Sequence, residues 1–386
     1  MSEFRTIREL CSVVVDCPHS TPKWTANGKI VIRNKNIKHG KIDFSSPSYT
    51  DDEHFAQRIK RAKPQPGDII ITREAPIGDV GMIPENTECC LGQRMVLLRA
   101  NQSVCDNFYL LYSLQSLYVQ HQISWSEGTG TTVSNLRIPH LEQIQIPYLP
   151  LEQQAKISSV LRALEEKIEN NRRLNDNLQQ QAAALFSSLY DRTNTEVRFT
   201  DLIQILGGGT PKTGENTYWN GNIAFFTPKD VGTPYTLSTE KTITEEGLSH
   251  CNSRLYPVNT VFVTARGTVG KVGMSGVPMA MNQSCYALVG KETHQLLVYF
   301  YTLKTVDRLK HKASGAVFDA ITTRDFESEQ IMKLSDEDAK SFLCIAAPMF
   351  QKVLDNGIEN QRLSTLRDSL LPKLMSGEID VSAVQL

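Results

Sequence analysis

Two periodicities alternate along the chain. Short β-branched runs come first, at Lys29 to Ile32, Asp68 to Thr72 and Met95 to Arg99, and an apolar helical segment follows at Asn107 to Tyr118. The same succession returns at Ile223 to Thr227, Val261 to Thr264 and Tyr286 to Val289, with a helical segment at Gln295 to Lys310. Runs of this kind predict strands, and strands followed by a helix predict an α+β globule for each group. After each group comes a longer stretch with helical spacing. Residues 151–192 hold no Gly and, after Pro150, no Pro. Within them Ile157, Leu161, Leu164, Ile168, Leu178, Ala182, Leu185 and Leu189 alternate in steps of three and four, and Asn171 and Asn175 complete the series. That is a heptad seam with a polar middle, and Asn in a seam fixes register at a cost in stability. Residues 338–375 offer a second seam through Leu354, Ile358, Leu363, Leu366, Leu370 and Leu374. Pro348 and Gly357 should interrupt it, and Pro372 and Gly377 should end it.

The alternation is a duplication. Gly67 to Ile83 and Asn259 to Ser275 each hold a β-branched strand, a polar turn and a similar exit, Ile77-Gly78-Asp79-Val80-Gly81-Met82 against Val269-Gly270-Lys271-Val272-Gly273-Met274. Downstream, Gly92-Gln93-Arg94 answers Asn282-Gln283-Ser284. Glu127-Gly128-Thr129-Gly130 followed by Leu136 answers Ala313-Ser314-Gly315 followed by Ile321, and Ile168-Glu169-Asn170 answers Ile358-Glu359-Asn360. A repeat this long exceeds solenoid periods, so each copy is expected to be a domain. The expected layout is a globule at 1–150, a long helix at 151–192, a globule at 193–335, and a helix with a tail at 336–386. Helices of similar length separated by a domain can pair antiparallel. At ~1.5 Å per residue they would separate the globules by on the order of 50 Å. At ~3.4 Å per base pair that is roughly one to one and a half turns of duplex.

Composition permits this layout without explaining it. A chain of 386 residues with 40% apolar content can bury two cores. No apolar run approaches the ~18 residues of a membrane span, and Met1 to Leu10 has no signal-type stretch, so a soluble, cytoplasmic protein is expected. The eight cysteines form no C-x-x-C pair and share no metal-ligand spacing with the eight histidines. Reduced thiols and no metal are expected.

The net charge of −1 is unevenly spread. Lys23, Lys29, Arg33, Lys35, Lys38, Lys41, Arg58, Lys60, Arg61, Lys63 and Arg73 face only Asp43, Asp51, Asp52, Glu53 and Asp68 in the same stretch. Cations interleaved with amides and an aromatic can both grip phosphates and read base edges. The expected contacts with double-stranded DNA in the first globule are Lys23, Trp24, Arg33, Asn34, Lys35, Thr72, Arg73, Gln93 and Arg94. In the second they are Lys212, Thr213, Thr227, Lys229, Arg266, Lys271, Gln283 and Ser284. A catalytic site is not legible. There is no G-x-G-x-x-G after a strand and no Asn-Pro-Pro-aromatic segment, and Gly207-Gly208-Gly209-Thr210-Pro211-Lys212-Thr213 lacks phosphate-loop spacing.

The order of motifs resembles the specificity subunit of type I restriction-modification systems. The resemblance is carried by Gly208-Gly209-Thr210-Pro211-Lys212-Thr213, Tyr218-Trp219-Asn220-Gly221, Phe226-Thr227-Pro228-Lys229-Asp230-Val231, Thr264-Ala265-Arg266-Gly267, Asn282-Gln283-Ser284 and the end from Leu366 to Ile379. The first copy matches more loosely, through Cys17-Pro18-His19-Ser20-Thr21-Pro22, the segment around Arg73 and Leu149-Pro150-Leu151-Glu152-Gln153-Gln154. There Arg73-Glu74-Ala75 replaces Ala265-Arg266-Gly267, so the cation shifts by one position. The resemblance implies two repeated globular target recognition domains separated by two long helices that form an antiparallel coiled coil. It also implies a non-catalytic subunit whose helices dock two methyltransferase subunits, which carry S-adenosylmethionine, with motor-nuclease restriction subunits carrying ATP and Mg. The coiled-coil and partner-binding residues would be Ile157, Leu161, Leu164, Ile168, Asn171, Leu178, Leu185, Leu354, Ile358, Leu366, Leu370 and Leu374. A stand-alone nuclease and a helical scaffold without DNA readout remain the alternatives.

Overall fold

By contact the chain divides into two compact units, Met1–Glu166 with Leu363–Leu386, and Lys167–Arg362. The computed structural model describes residues 3–38, 40–125, 135–232, 234–312 and 320–381. The Gly-rich stretches of the repeat, 127–130 and 313–315, lie outside the described residues.

In the first unit β1 (Cys11–Asp16), β2 (Lys29–Ile32), β3 (Ser48–Thr50), β4 (Ile69–Thr72), β5 (Val80–Met82), β6 (Cys89–Leu91) and β7 (Met95–Ala100) make two sheets. The larger is antiparallel in the order β1-β7-β4-β5, and the smaller has the order β3-β2-β6 with β2 and β6 parallel. The strand β4 ties them together. Ile69, Ile70 and Ile71 are all fully buried. Successive side chains of a strand point to opposite faces. Ile69 and Ile71 therefore enter the core that includes the helix Asn107–Gln115, while Ile70 enters a second core with Ile32, Cys89 and Leu91. An unbroken β-branched run marks a strand buried on both faces.

The second unit repeats this plan with β8 (Ile203–Gly207), β9 (Trp219–Phe226), β10 (Tyr235–Thr236), β11 (Lys241–Ile243), β12 (Val261–Thr264), β13 (Val272–Ser275), β14 (Met279–Met281) and β15 (Cys285–Gly290). The larger sheet runs β8-β15-β12-β13-β10, and the smaller runs β11-β9-β14 with β9 and β14 parallel. Val261 and Val263 face a large core with the helix Gln295–Lys312, whereas Phe262 faces a small one with Phe226, Met279 and Met281.

Two long helices, Leu151–Tyr190 and Asp336–Ser376, are each divided between the units, with 151–166 and 363–376 in the first and 167–190 and 336–362 in the second. The second begins where Ser335 Oγ accepts from the Asp338 N–H (3.1 Å), with Asp336, Glu337 and Asp338 at the positive end of the helix. It ends at Gly377, whose φ of +74° lets its N–H turn back to Leu374 O. In the second unit the helices run antiparallel. Asn171 Nδ2 donates to Glu359 Oε2 (2.7 Å) and Asn360 Oδ1 (2.9 Å), Asn356 Nδ2 donates to Asn175 Oδ1 (2.8 Å), and Phe186 meets Phe342 further along. In the first unit Ile157 and Leu161 share a core with Leu374, and Glu165 pairs with Arg367 at 3.7 Å.

Three expectations are corrected. The second helix runs unbroken through Pro348 and Gly357, and Pro372 lies inside it. A helix-interior proline costs ~3 kcal/mol or more. Here Phe342, Ala346, Phe350, Val353 and Leu354 are buried on either side of Pro348 and hold the helix by packing. Leu366 is 45% exposed, so it leaves the seam, which passes instead through Leu363, Arg367, Leu370 and Leu374. Of the other seam residues, Ile157, Leu161, Ile168, Asn171, Leu354 and Leu374 are buried, and Leu164, Leu178, Leu185, Ile358 and Leu370 are half-buried.

All eight cysteines are free thiols, six of them buried. Burial pushes the Cys89 thiol up to about 12 and that of Cys90 up to about 11. Reaction with a thiolate-selective reagent is therefore expected first at exposed Cys344, more slowly at Cys251, and at the rest only in denaturant. Peptide mapping after timed labelling checks this, and rapid native-state labelling of Cys89 or Cys90 contradicts it.

Candidate nucleic-acid interface

The central strand of each larger sheet ends in a threonine that closes the turn behind it. In the first unit Thr72 N donates to Asp79 O, Asp79 N to Thr72 Oγ1 and Gly78 N to Thr72 O, each at 2.9 Å. In the second Thr264 N donates to Lys271 O (3.0 Å), Lys271 N to Thr264 Oγ1 (2.9 Å) and Gly270 N to Thr264 O (2.9 Å). Gly78 and Gly270 take φ of +82° and +73° to close these turns. The next residue is pinned alike in both: Arg73 N bonds Arg94 O and Arg73 O accepts from Leu136 N, while Ala265 N bonds Ser284 O and Ala265 O accepts from Ile321 N. Arg73 is thus the counterpart of Ala265, Glu74 of Arg266, and Arg94 of Ser284.

This overturns two expected contacts. Thr72 is fully buried, its hydroxyl engaged in the turn. Arg73 is only 9% exposed and points inward, with Nε on Leu136 O (2.8 Å), Nη1 on Asp16 Oδ2 (2.9 Å) and Nη2 on Asn135 Oδ1 (3.2 Å). Neither can face DNA.

Two further loops reach the same place. Behind β2 the Arg33 N–H bonds Asn36 Oδ1 (3.0 Å), and behind β9 the Thr227 N–H bonds Asp230 Oδ2 (2.8 Å). Arg33, Asn34 and Lys35 therefore match Thr227, Pro228 and Lys229. Asn34 Nδ2 donates to Glu74 O at 2.6 Å, and Thr268 Oγ1 to Pro228 O at 3.3 Å, which sews loop to loop in each copy. Gln93 bonds Thr21 Oγ1 (3.3 Å) as Gln283 accepts from Thr210 Oγ1, so Thr21-Pro22-Lys23 matches Thr210-Pro211-Lys212.

In each unit these loops enclose a concavity. The first, about 360 Å³, brings together Trp24, Arg33, Asn34, Lys35, Gln93 and Arg94 with Pro22, Ala75 and Gly92. The second, about 480 Å³, gathers Thr227, Lys229, Arg266 and Ser284 with Pro228, Gly267, Thr268 and Asn282. Lys23, Lys212, Thr213, Lys271 and Gln283 are exposed but line neither. Glu240 and Lys241 line the second and were not expected. The strand pairing of Phe225 with Lys241 brings them there, and no spacing in the chain announces it. A larger concavity of about 1070 Å³ in the second unit, beside Lys291, His294 and Lys340, holds none of the expected residues.

The basic stretch does not form one open face. Lys29 and Lys63 both hold Glu88 (2.5 and 2.9 Å), and their hydrogen bonds keep its carboxyl down at about 2. Lys38 holds Asp43 (2.7 Å) and lowers its carboxyl pKa, and Lys23 pairs with Asp51 (3.4 Å). Buried Arg58 donates to the carbonyls of Leu91, Ser20 and Pro18. What reaches the concavity is Arg33, set 4.9 Å over the Trp24 ring, Lys35, and Arg94 paired to Glu74 at 3.1 Å. In the second concavity Lys229 pairs loosely with Glu240 (3.9 Å), and among the described residues no acid pairs with the Arg266 side chain.

Residues 3–180 and 192–335, the two copies of this arrangement, match the family model of the type I restriction modification DNA specificity domain. The chain belongs to this family. It is similar to the type I restriction enzyme MjaIX specificity subunit of Methanocaldococcus jannaschii, with 27% identity over 171 residues, a stretch covering 43% of this chain and 38% of that protein. A second relative from that organism, the putative type I restriction enzyme MjaX specificity subunit, is 23% identical over 407 residues, covering 98% of this chain and 94% of that protein. The crystal structure of a type I restriction-modification system S subunit from M. genitalium shares the fold, with a TM-score of 0.61 at 18% identity over 96% of this chain and 95% of that one. In both specificity domains the concavity lies at the same three loops.

Inward and outward arginines should separate in their effects. Arg73→Ala leaves the Asp16 carboxylate, whose Oδ1 lacks a partner, with His19 Nε2 (2.8 Å) as its remaining side-chain partner and removes the bonds to Leu136 O and Asn135 Oδ1, and is expected to destabilise by about 2 kcal/mol. Arg33→Ala, on an exposed side chain, should stay within ~0.5 kcal/mol. Denaturant unfolding of the two variants measures the difference, and equal losses would show that Arg73 is not a structural brace.

Proposed function

We propose that the chain is the sequence-reading, non-catalytic subunit of a type I restriction-modification complex. Each domain reads one half of a bipartite, asymmetric DNA target. The observation that carries this reading is the duplicated concavity: the same loops are closed by the same backbone bonds, yet lined by different side chains. One scaffold presented twice with different lining is what two unlike half-sites require. The side chains at the rims, lysine, arginine and amides, suit phosphate and base-edge contacts. The long helices set the spacer and dock two methyltransferase subunits that carry S-adenosylmethionine. Motor-nuclease subunits with ATP and Mg complete the complex.

Two experiments test this. Arg266→Ala should relax the preference for one half-site only, by about 1–3 kcal/mol. Selection from randomised duplex measures it, and equal relaxation of both halves rejects the two-reader arrangement. Four residues inserted between Glu166 and Lys167, together with four between Arg362 and Leu363, lengthen both helices where the chain passes from one unit to the other. Each insertion adds roughly 6 Å of helix, so at ~3.4 Å per base pair the preferred spacer should grow by one to two base pairs with both half-sites unchanged. An unchanged spacer in a folded, DNA-binding variant means that the helices are not the ruler.

A further inference from the structure

The loop-by-loop match lets the two concavities be compared position by position. Lys35 and Lys229 are the same residue at the same place. The other charges are rearranged: Arg33 corresponds to Thr227, Glu74 to Arg266, and Arg94 to Ser284. A phosphate contact carries no sequence information, so one lysine can serve both copies, whereas a base reader must differ wherever the half-sites differ. The specificity-determining residues are therefore to be sought among the rearranged positions.

Of the two cations in the first concavity that have no cationic counterpart, Arg33 lies over the face of Trp24. Arg94 is held differently. Its backbone takes the left-handed conformation, φ +66°, and its carbonyl accepts from Arg73 N at 2.8 Å, so the side chain leaves a fixed base. Its Nε lies 3.1 Å from Glu74 Oε2, and the Glu74 side chain is only 19% exposed against 56% for Arg94. Glu74 is itself anchored, since its carbonyl accepts from Asn34 Nδ2. A guanidinium offers a fork at the Nε side and another at its end. With the carboxylate on the Nε side, the end-on pair of Nη groups is the fork presented, and guanine O6 and N7 accept such a pair in the major groove. The carboxylate also disfavours a phosphate at the same spot, and a tethered side chain loses less rotamer freedom on binding.

We propose that Arg94 is the base-reading residue of the first domain, selecting a guanine, that Glu74 is its positioning residue, and that Lys35 grips phosphate. This rests on the DNA-reading function above. The test uses the full chain, duplex selected from a random pool, and affinity measured against salt concentration. Arg94→Ala should abolish the preference for guanine at one position of one half-site, on the order of ten- to a hundredfold, with the other positions intact. Arg94→Lys should not restore it, because an ammonium lacks the fork. Glu74→Gln should weaken the same single preference while Arg94 is still present, and Glu74→Asp should recover part of it. Lys35→Ala should lower affinity for all sequences alike and reduce the slope of log affinity against log salt by about one. Thermal unfolding of Arg94→Ala, at an exposed side chain, verifies that the variant is folded. A uniform loss of affinity in Arg94→Ala, with its salt slope reduced and every base preference kept, would overturn the assignment and make Arg94 a phosphate contact. If the unmodified chain enriches no duplex at all, the DNA-reading function itself falls, an outcome distinct from failure of the Arg94 assignment.

Discussion

Because Ile69–Thr72 and Val261–Thr264 are buried on both faces, each must satisfy two cores at once, and the rest of its unit is arranged by that requirement. Residues facing one way draw in the helix and the larger sheet. The residue facing the other way, Ile70 or Phe262, draws in the smaller parallel pair. Burial continues one residue past the threonine, to Arg73 or Ala265, while the threonine's own N–H and hydroxyl are answered by the far side of the turn. Two residues after the threonine, at Glu74 and Arg266, the chain reaches the opening between the two layers. The loop after β2 or β9 and the loop before β7 or β15 open at the same level, since they continue strands packed against that same central strand. The concavity is thus a geometric result of one strand serving two cores, which is why it appears in both copies despite different linings.

The charge pattern follows from the same geometry. A long cation near a core either finds a buried acceptor or is displaced to the rim. Arg58 and Arg73 find carbonyls and Asp16, so their contribution is to hold loops in place. Lys63, Lys38 and Lys23 are exposed and Lys29 is half-buried, all paired with Glu88, Asp43 or Asp51, and such pairs stabilise little individually. They also leave a less positive surface than the count of lysines and arginines suggests. What remains at the opening is a small number of groups with defined orientation, which favours discrimination over general attraction to a polyanion.

The strands Lys29 to Ile32, Asp68 to Thr72, Met95 to Arg99 and their second-copy counterparts were legible because β-branched runs have few other uses, and both long helices because their apolar spacing persists. The pairing partners were not. Nothing local says that β2 lies parallel to β6, yet that pairing brings Arg33 and Gln93 to one opening. The register of the repeat already set Arg73 opposite Ala265, with Thr72 and Gly78 against Thr264 and Gly270. Arg73 was misassigned because an arginine in a polar turn was read as pointing outward, and no letter nearby says that its guanidinium turns inward to Leu136 O, Asp16 and Asn135. The chemistry of a turn is fixed by the residues that close it, and side chains within it are free to vary. Leu366 misled for a related reason: the antiparallel partner selects Arg367 to meet Glu165, and an ion pair in a seam leaves no hydrophobic trace.

The polar layer of the helix pair is the remaining departure from an apolar core. Asn171, Asn175, Asn356 and Asn360 could each be replaced by leucine with a gain in buried apolar area, and Asn356 Oδ1 is buried without a partner. An all-leucine seam, however, is nearly degenerate to a shift of one heptad, since each apolar residue would meet another of similar shape. Asn171 bonded to Glu359 and Asn360, and Asn175 bonded to Asn356 and to Val353 O, are satisfied in one register. A slip would bury all of them unpaired, at roughly 1 to 3 kcal/mol for each lost partner. In the second unit that register also fixes which helix residues lie under the domain: Gly357 comes close to the side chain of Leu237, where a Cβ would meet Leu237 Cδ1 at 2.8 Å. The asparagines lower the stability of the pair in exchange for a single alignment, and that alignment is what seats the second domain on its helices.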